Sequence, residues 1–424
     1  MAVKTLLTNI GSLVRVSNDG SLHKRGSAMQ DISVLSGAAM LFDESILWIG
    51  PNERHTEMIS AADTIVDCAG RVVIPGFVDS HTHVVFAGNR SDEFARRLRG
   101  VSYQQIASEG GGILSTMRAV RSATEDDLYE QGMKLAQSAM EHGTTTLEIK
   151  SGYALDPEGE LKMLRAIKRL RQELPLTIVA TFLGAHDVPP EYAHDVDSYV
   201  DVVCNSMIPA VVSEQLADIC DVFCDTGYFT VEQSRRILNA ARSHGMRTKV
   251  HADELSTFGA AELAVECGSL SADHLLFVSE AGIQALASSH TVATVLPGTA
   301  YTLRLPYAPA AKLMDAGAIV ALATDCNPGS CYSENMQGMM SLACANMRMS
   351  VEQCMNAATL NGAFALGLSE KVGSLERGKQ ADFVVLNTHN IADIVYHFGV
   401  NHVAQTWIRG HCVVQRTTRP LAIG

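Results

Sequence analysis

Several histidine and acidic residues of this sequence stand directly after a short run of apolar residues. His81 and His83 follow one such run, and His251 and Glu254 stand at the end of another. Side chains two residues apart on an extended strand point to the same face, so His81 and His83 can reach one ion together. Other runs of this kind lead into residues 184–187, 273–274 and 324–327.

Three histidines and one carboxylate at such positions are candidate metal ligands: His81, His83, His251 and Asp325. Nitrogen and oxygen ligands that leave room for water suit Zn²⁺ or Fe²⁺, with Fe³⁺ as a further candidate. A bound divalent ion lowers the pKa of its water towards ~7. Glu254, three residues after His251, is placed to move a proton to a leaving nitrogen. The alternative for Glu254 is a carboxylate in the first turn of a helix.

The apolar runs alternate with helical patterns, which indicates βα units and a parallel sheet. Eight strands are predicted, at residues 72–80, 144–149, 176–183, 221–224, 247–251, 271–274, 291–296 and 319–323. Eight units over roughly 300 residues are typical of an α/β fold of the (β/α)8, TIM-like barrel type, whose active sites lie at the carboxyl ends of the strands. A doubly wound sheet is the alternative, but no G-x-G-x-x-G segment opens a helix after a strand.

The composition excludes several classes of protein. Of the 424 residues, 47% are hydrophobic and 19% are charged, so the chain can bury a large core and is not disordered. With a formal charge of -13, the chain lacks the basic footprint of a nucleic-acid binder. No apolar run is long enough to span a bilayer. Ten scattered cysteines indicate reduced thiols in a cytoplasmic protein.

Several motifs resemble the amidohydrolase superfamily: PGFVDSHTH at 75–83, HADE at 251–254, ADH at 272–274, ATDCNPGS at 323–330 and VGSLERGKQADFVVL at 372–386. The resemblance implies a metal-dependent hydrolase barrel over residues 75–365. It also implies that residues 1–74 and 366–424, both β-rich, build one small β-sandwich domain. Members with two metal ions usually carry a carbamylated lysine after the fourth strand. This chain has Cys224-Asp225-Thr226 there, so one metal ion is expected, and Lys150 is interpreted as a structural or loop charge.

Further motifs resemble the imidazolonepropionase family: HTHVVFAGNRSDEF at 81–94, EGGGIL at 109–114, EIKSGYAL at 148–155, FLGAHDVPPEY at 182–192 and DCNPGS at 325–330. That family hydrolyses the cyclic amide of 4-imidazolone-5-propanoate to N-formimino-L-glutamate in histidine degradation, and it is commonly a homodimer. The resemblance implies the metal ligands His81, His83, His251 and Asp325. The implied substrate contacts are Arg90, Tyr153, His186, Glu254, Asn327, Gly329 and Ser330. The implied catalytic residues are Glu254, His274 and Asp325.

The chemistry of Arg90 fits a substrate that carries a carboxylate, since a guanidinium binds a carboxylate through two hydrogen bonds. Without the resemblance, Arg90 would be interpreted as a surface charge. Backbone N–H groups of the loop 327–330 are expected to add anion contacts, and the glycines at 110–112 are interpreted as a mobile lid. Two alternatives stay open. One is another single-metal amidohydrolase, such as a purine or pyrimidine deaminase or another cyclic amidase, and the other is a metal-free barrel used as an assembly scaffold.

Overall fold

The computed structural model describes residues 3–17, 20–101, 105–106 and 109–416 of the chain. Its strands, numbered along the chain, are β1 (Thr5–Val14), β2 (Val34–Phe42), β3 (Ile46–Pro51), β4 (Thr64–Asp67), β5 (Val72–Pro75), β6 (Phe77–Asp79), β7 (Thr144–Lys150), β8 (Thr177–Ala185), β9 (Ile219–Cys224), β10 (Arg247–Ala252), β11 (Ser271–His274), β12 (Val292–Val295), β13 (Val320–Leu322), β14 (Phe383–Leu386), β15 (Val403–Ile408) and β16 (His411–Gln415).

Its α-helices are α1 (Ser91–Leu98), α2 (Ile113–Ser122), α3 (Glu125–Glu141), α4 (Pro157–Glu173), α5 (Val196–Val202), α6 (Ile208–Ser213), α7 (Val231–Ser243), α8 (Ala260–Glu266), α9 (Glu280–Ala287), α10 (Pro297–Leu303), α11 (Ala310–Ala316), α12 (Met336–Met347), α13 (Val351–Ala357), α14 (Leu360–Phe364) and α15 (Asp393–Tyr396). Tighter or wider helical turns cover Gly26–Gln30, Asn52–Glu57, Ile59–Ala61, Pro190–Tyr192 and Val203–Met207. None of the helices described here is long and apolar enough to cross a membrane.

Strands β6 to β13 lie side by side in chain order, and each neighbouring pair is parallel. The first and last strands meet just beyond their carboxyl ends. There the His83 N–H donates to the Cys326 carbonyl at 2.9 Å, and the Asp325 N–H donates to the His81 carbonyl at 3.0 Å. The predicted α/β barrel is therefore confirmed, and its closure brings His81, His83 and Asp325 together.

The run predicted as one strand over 72–80 is two strands that belong to different sheets. β5 pairs with β1 and β14, whereas β6 pairs with β7 of the barrel. Gly76 separates them, and a Cβ at Gly76 would lie 2.1 Å from the Thr145 Oγ1, so only glycine fits this crossing. The prediction of one strand was wrong because both strands are apolar in sequence. The break between them depends on the close packing of Gly76 against Thr145, which the local sequence does not show.

The remaining strands form one mixed sheet from both ends of the chain, in the order β16-β15-β14-β5-β1-β2-β3, with β4 also paired to β1. Phe42 of β2 packs against Phe383 of β14 and Trp407 of β15, with ring centroids 5.0 Å and 5.4 Å apart. Strands that lie three or more places apart in the sheet thus face each other across an apolar core, so the sheet curls into the expected sandwich-like domain. The domain boundaries at 74/75 and 365/366 stay a proposal, and the first falls inside β5.

The two ends of the barrel differ in what closes them. The amino-terminal end is sealed by an apolar cluster in which Ala363 and Leu366 pack against Val78, Val179 and Ile219. The carboxyl end carries the polar residues that the sequence placed after each strand. Helices α1 and α2 border this open end, since α1 begins directly after Arg90 and α2 directly after Gly112.

Candidate active site

The proposed ligand atoms converge at the carboxyl ends of the barrel strands. The Nε2 atoms of His81 and His83 are 3.3 Å apart, and each lies 3.5 Å from Asp325 Oδ1. The ring of His251, on β10, is 4.5 Å from that of His81 between centroids. Four ligands placed tetrahedrally at Zn–N distances of about 2.1 Å would be separated by roughly 3.4 Å. The spacing therefore fits one ion.

Two aspartates lie behind the histidines. Asp273 Oδ2 is 2.7 Å from His81 Nδ1, and Asp221 Oδ2 is 3.0 Å from His251 Nδ1. Burial holds the pKa of His81 well below its usual range, so the ring is neutral. A neutral imidazole with a carboxylate at Nδ1 keeps its Nε2 lone pair for a metal.

Other polar atoms in the same place have no partner within the part of the chain that the structure describes. They are Nδ1 of His83 and both ring nitrogens of His251 and His274, and all are buried. His251 Nδ1 lies close to Asp221 Oδ2, but the two are not aligned as a hydrogen bond. Buried polar atoms are normally hydrogen-bonded or bound to an ion. His274 and Asp325 also have left-handed backbone, with φ of 82° and 54°, a strain that clusters at ligand-binding positions. The donor set is that of a divalent metal site.

Glu254 and His274 face each other beside the ligands. The Glu254 Oε2 is 3.6 Å from the His274 Nε2. Burial, and secondarily the charge of Asp325, raises the pKa of Glu254 well above its usual range. Burial likewise raises the pKa of Asp325 to about 6 and lowers that of His274. Burial therefore favours the protonated form of the Glu254 carboxyl, which is the form that can donate a proton.

The predicted substrate contacts line one cavity of about 540 Å³ that reaches the ligand cluster. Its lining includes Arg90, Tyr153, His186, Glu254, Asn327, Gly329 and Ser330, together with His83, His251, His274 and Asp325. His186 stacks on His83 at a centroid distance of 5.1 Å, and its Nδ1 lies 2.9 Å from the Gly152 carbonyl. Burial lowers the pKa of His186 to about 3, so this neutral ring donates Nδ1–H to that carbonyl.

Arg90 lies at the edge of this cavity near the start of α1, and its side chain is only 10% exposed. Its Nε donates to Glu93 Oε2 at 2.9 Å. No hydrogen bond from its Nη1 or Nη2 is found among the described residues, so both stay available to a ligand. A Cβ at Gly329 would lie 2.3 Å from Arg90 Nη1, which shows how closely the loop at 327–330 approaches the guanidinium.

The chain is similar in sequence to proteins of one known family. The amidohydrolase family model matches residues 72–413. An imidazolonepropionase from Desulfotalea psychrophila is 48% identical over 89% of this chain and 92% of its own length. Another, from Porphyromonas gingivalis, is 46% identical over 96% of both chains. The chain belongs to the amidohydrolase family, among its imidazolonepropionases.

Solved structures of other proteins share the fold. An adenosine deaminase from Xanthomonas campestris with bound zinc is 18% identical, with a TM-score of 0.72 over 97% of this chain and 93% of that one. The guanine deaminase of E. coli is 15% identical, with a TM-score of 0.75 over 98% and 100%. Such identities establish the fold alone. The imidazolonepropionase relatives set aside both the deaminase and the scaffold alternatives.

The structure corrects one expectation for the loop at 327–330. The N–H groups of Gly329 and Ser330 both donate to Asn327 Oδ1, at 2.8 Å and 2.7 Å. The expectation that they bind an anion is therefore wrong for these two groups in this arrangement. What the loop presents beside Arg90 is its side chains, and the Ser330 hydroxyl accepts from Asn327 Nδ2 at 2.8 Å.

Sequence reasoning missed Glu93, which joins two parts of the cavity wall. One carboxylate oxygen accepts from Arg90, and the other accepts from the Gly112 N–H at 3.1 Å. The spacing Arg90-x-x-Glu93, one turn apart at the start of a helix, was the available signal. The glycines at 110–112 are thus tied to α1 here, and their action as a mobile lid stays a prediction.

Lys150 is a buried strand residue and not a charge on a loop. It is the last residue of β7, its side chain is fully buried, and its Nζ lies 2.7 Å from Glu148 and 2.8 Å from Asp221. The alternation Glu148-x-Lys150 places both side chains on one face of the strand, which was a signal for an inward-pointing pair. The sequence did not predict Asp221 and Asp273 as partners of the histidines. Each of these aspartates contacts a histidine on a different strand, and local spacing does not show such a contact.

Proposed function

We propose that this chain hydrolyses the cyclic amide C–N bond of 4-imidazolone-5-propanoate to give N-formimino-L-glutamate, a step in histidine degradation. One observation carries the proposal. A single cavity holds a cluster of His and Asp ligands and, in the same wall, the largely buried guanidinium of Arg90, whose Nη1 and Nη2 form no hydrogen bond with the residues that the structure describes. The substrate combines a hydrolysable ring amide with a carboxylate, which matches those two features.

We propose that His81, His83, His251 and Asp325 would hold the metal ion, and their mixed nitrogen and oxygen donors fit either Zn²⁺ or Fe²⁺. The ligand atoms of His81, His83 and His251 lie within 4.8 Å of one another, as do those of His81, His274 and Asp325. When bound, a divalent ion lowers the pKa of a coordinated water towards ~7, which supplies hydroxide near neutral pH. We propose one such ion per chain. Metal analysis of the purified protein, and recovery of activity from a chelated sample with each ion in turn, identifies it.

The chain's own residues divide the remaining work. Arg90 binds the propanoate through Nη1 and Nη2, and Tyr153 and His186 orient the ring. The water oxygen joins the ring carbonyl carbon, and the C–N bond of the amide breaks. Glu254, whose burial favours the protonated carboxyl, gives its proton to the departing ring nitrogen. His274, beside Glu254, polarises the carbonyl oxygen or holds the water, and Asp325 takes a share of the proton.

The test is a steady-state assay with 4-imidazolone-5-propanoate and with its propanamide analogue, on Arg90→Ala and the wild type. Loss of a charged hydrogen-bonded pair of about 1.5–3 kcal/mol should raise KM for the carboxylate substrate roughly 10- to 100-fold. KM for the amide should change little. Arg99→Ala, at the exposed end of the same helix, is the matched control and should leave both values unchanged. An unchanged KM in Arg90→Ala would place the carboxylate elsewhere.

We further propose that the enzyme is a cytoplasmic homodimer. All ten cysteines are free thiols, which suits a reducing compartment. Tyr396 and Phe398 are 85% and 76% exposed, and adjoining exposed aromatic rings favour a protein contact. Sedimentation of the purified chain measures the oligomeric state, and a monomer at micromolar concentration would contradict the dimer.

A further inference from the structure

Two lysines have their side chains fully buried inside the barrel, beneath the metal ligands. Lys150 ends β7, and Lys249 lies in β10. A buried ammonium is costly unless an anion accompanies it closely. The groups that these two lysines contact therefore indicate why they are there.

Each lysine contacts an aspartate that in turn contacts a metal-ligand histidine. Lys150 Nζ is 2.8 Å from Asp221 Oδ2, and that same oxygen is 3.0 Å from His251 Nδ1. Lys249 Nζ is 3.0 Å from Asp273 Oδ2, and that same oxygen is 2.7 Å from the Nδ1 of the second histidine, His81. The barrel interior thus contains two Lys–Asp–His chains that end at the ion site.

The other two ligands are held differently. His83 Nδ1 is buried, and within the described ranges no carboxylate lies within 4.0 Å of it, whereas Asp221 Oδ2 lies 3.0 Å from His251 Nδ1. Asp325 accepts a hydrogen bond from the Thr299 hydroxyl, a neutral group. A buried cation therefore stands behind two of the four ligands, which makes the arrangement a specific feature of His81 and His251 rather than a general property of the site.

We propose that Lys150 is a positioning residue for His251: its ammonium holds the Asp221 carboxylate where it orients the imidazole with Nε2 towards the ion. The inference rests on the metal site of the proposed function. Lys150 is itself fixed from two sides, because it also lies 2.7 Å from Glu148 Oε1. Without the ammonium, Glu148 and Asp221 would be two buried carboxylates that share no counter-charge, and Asp221 would turn away from His251.

Lys150 is a better subject for a test than Lys249. Lys249 Nζ also donates to the Ser80 carbonyl at 2.5 Å, so its removal would free a backbone group next to His81. Lys150 Nζ, in contrast, bonds only side chains among the described residues, those of Glu148 and Asp221. A change in metal binding after its replacement can be traced to those two carboxylates.

The test compares Co²⁺ binding by Lys150→Met and by the wild type, measured by competition with a chromophoric chelator. Methionine keeps the length of the side chain and removes the charge. Outer partners of metal-ligand histidines typically contribute 10- to 100-fold to affinity, so Kd for Co²⁺ should rise roughly 10- to 100-fold. The visible absorption spectrum of the bound Co²⁺ should also change, because the geometry around the ion changes. An unaltered Kd and spectrum would overturn the proposal.

The matched control is Lys24→Met. Lys24 is also buried, and its Nζ donates to the Asp31 carbonyl at 2.6 Å, but it lies at the other end of the barrel beside Asn361. Its replacement should lower stability without changing Kd for Co²⁺. If both variants weaken Co²⁺ binding alike, the effect is a general loss of structure and the proposal fails.

Lys150→Met/Asp221→Asn decides the matter if the single variant does not fold. This double variant removes both charges, so no uncompensated carboxylate remains at position 221. The double variant is compared with Asp221→Asn alone. Equally weak Co²⁺ binding by the two supports the proposal, because without the Asp221 carboxylate Lys150 has no group left through which to position His251. Wild-type affinity would show that Lys150 only balances the charge of Asp221. None of these measurements involves substrate, so a failure of the proposed hydrolysis would be seen separately.

Discussion

The interior of the barrel and the interior of the composite sheet are buried to the same degree but contain opposite kinds of residue. Beneath the ligands the barrel buries Glu148, Lys150 and Asp221 completely. The composite sheet buries Phe42 and Phe383 completely. Both regions exclude water, but only one of them contains groups whose desolvation is costly.

Burial alone therefore does not distinguish a functional region of this molecule from a stabilising one. In the sheet, stacked rings such as Phe383 and Trp407, 5.4 Å apart, gain free energy from leaving water. In the barrel, ion pairs among buried groups contribute little net stability and instead orient His81 and His251. Substitutions in the two regions should therefore change different measured quantities.

The largest expected effect is on catalysis, in Glu254→Gln. Glutamine keeps the shape of the side chain but has no acidic proton to give to a leaving nitrogen. We expect kcat to fall by roughly 10²–10⁴-fold, while the unfolding midpoint changes little. Steady-state kinetics and thermal unfolding of the same preparation measure both quantities.

Glu266→Gln is the control for that variant, since Glu266 pairs with Arg235 on the exposed side of α8. It should keep wild-type kcat. A kcat near the wild-type value in Glu254→Gln would show that Glu254 does not transfer the proton. A large loss of stability in the same variant would contradict the inferred difference between the barrel interior and the sheet interior.

The converse effect is expected in the sheet, in Phe383→Ala. Truncating a fully buried phenylalanine typically lowers the free energy of unfolding by about 3–5 kcal/mol. The kcat of the folded enzyme should stay unchanged, because Phe383 lies in the composite domain and contacts Phe42 and Trp407. Denaturant unfolding followed by fluorescence, with activity measured at low temperature, checks both parts.

Ile65→Thr, on β4 of the same sheet, is the control, because Ile65 is 52% exposed and its replacement should change the free energy of unfolding by less than about 0.5 kcal/mol. If Phe383→Ala lowers kcat as strongly as it lowers stability, the two interiors are coupled and the contrast between them fails.

The smallest effect concerns Asp382, a carboxyl buried just before β14. Burial raises its pKa to about 6 from the ordinary value of 3.8, although the Arg409 N–H and Gln380 Nε2 donate to it. The folded state therefore holds this proton more tightly than the unfolded state. Its contribution to stability is fully present below about pH 4 and is lost as the pH rises to about 6, by at most about 3 kcal/mol.

Asp382→Asn should remove that dependence. The stabilities of variant and wild type should be similar near pH 4, where Asp382 is protonated, and the variant should be relatively more stable at pH 7. Unfolding midpoints measured across this range check the sign. If the difference between the two proteins is constant with pH, Asp382 does not titrate in the folded state as inferred.

Much of the site was predictable because local pattern carries it. His81 and His83 are two apart on an extended segment, and His251 and Asp325 end apolar runs, so barrel geometry alone brings them to one rim. The break at Gly76 was not predictable, because it depends on the closeness of Thr145 from another strand. The anion-binding N–H groups at 329 and 330 were predicted wrongly because the competing acceptor, Asn327 Oδ1, belongs to the same loop.

Strand periodicity and contiguous motifs are local properties of the chain, so the barrel, the end of it that carries the polar residues and the family can all be inferred from the amino-acid sequence. The partners of those residues depend on the folded structure. Lys150 and Asp221 are 71 residues apart and lie on β7 and β9, two strands that do not pair with each other. Their contact exists because the curved sheet turns both side chains into one interior, where the low dielectric makes each buried charge require a partner. The pairing of Lys150 with Asp221 therefore follows from the closed barrel and not from their positions along the chain.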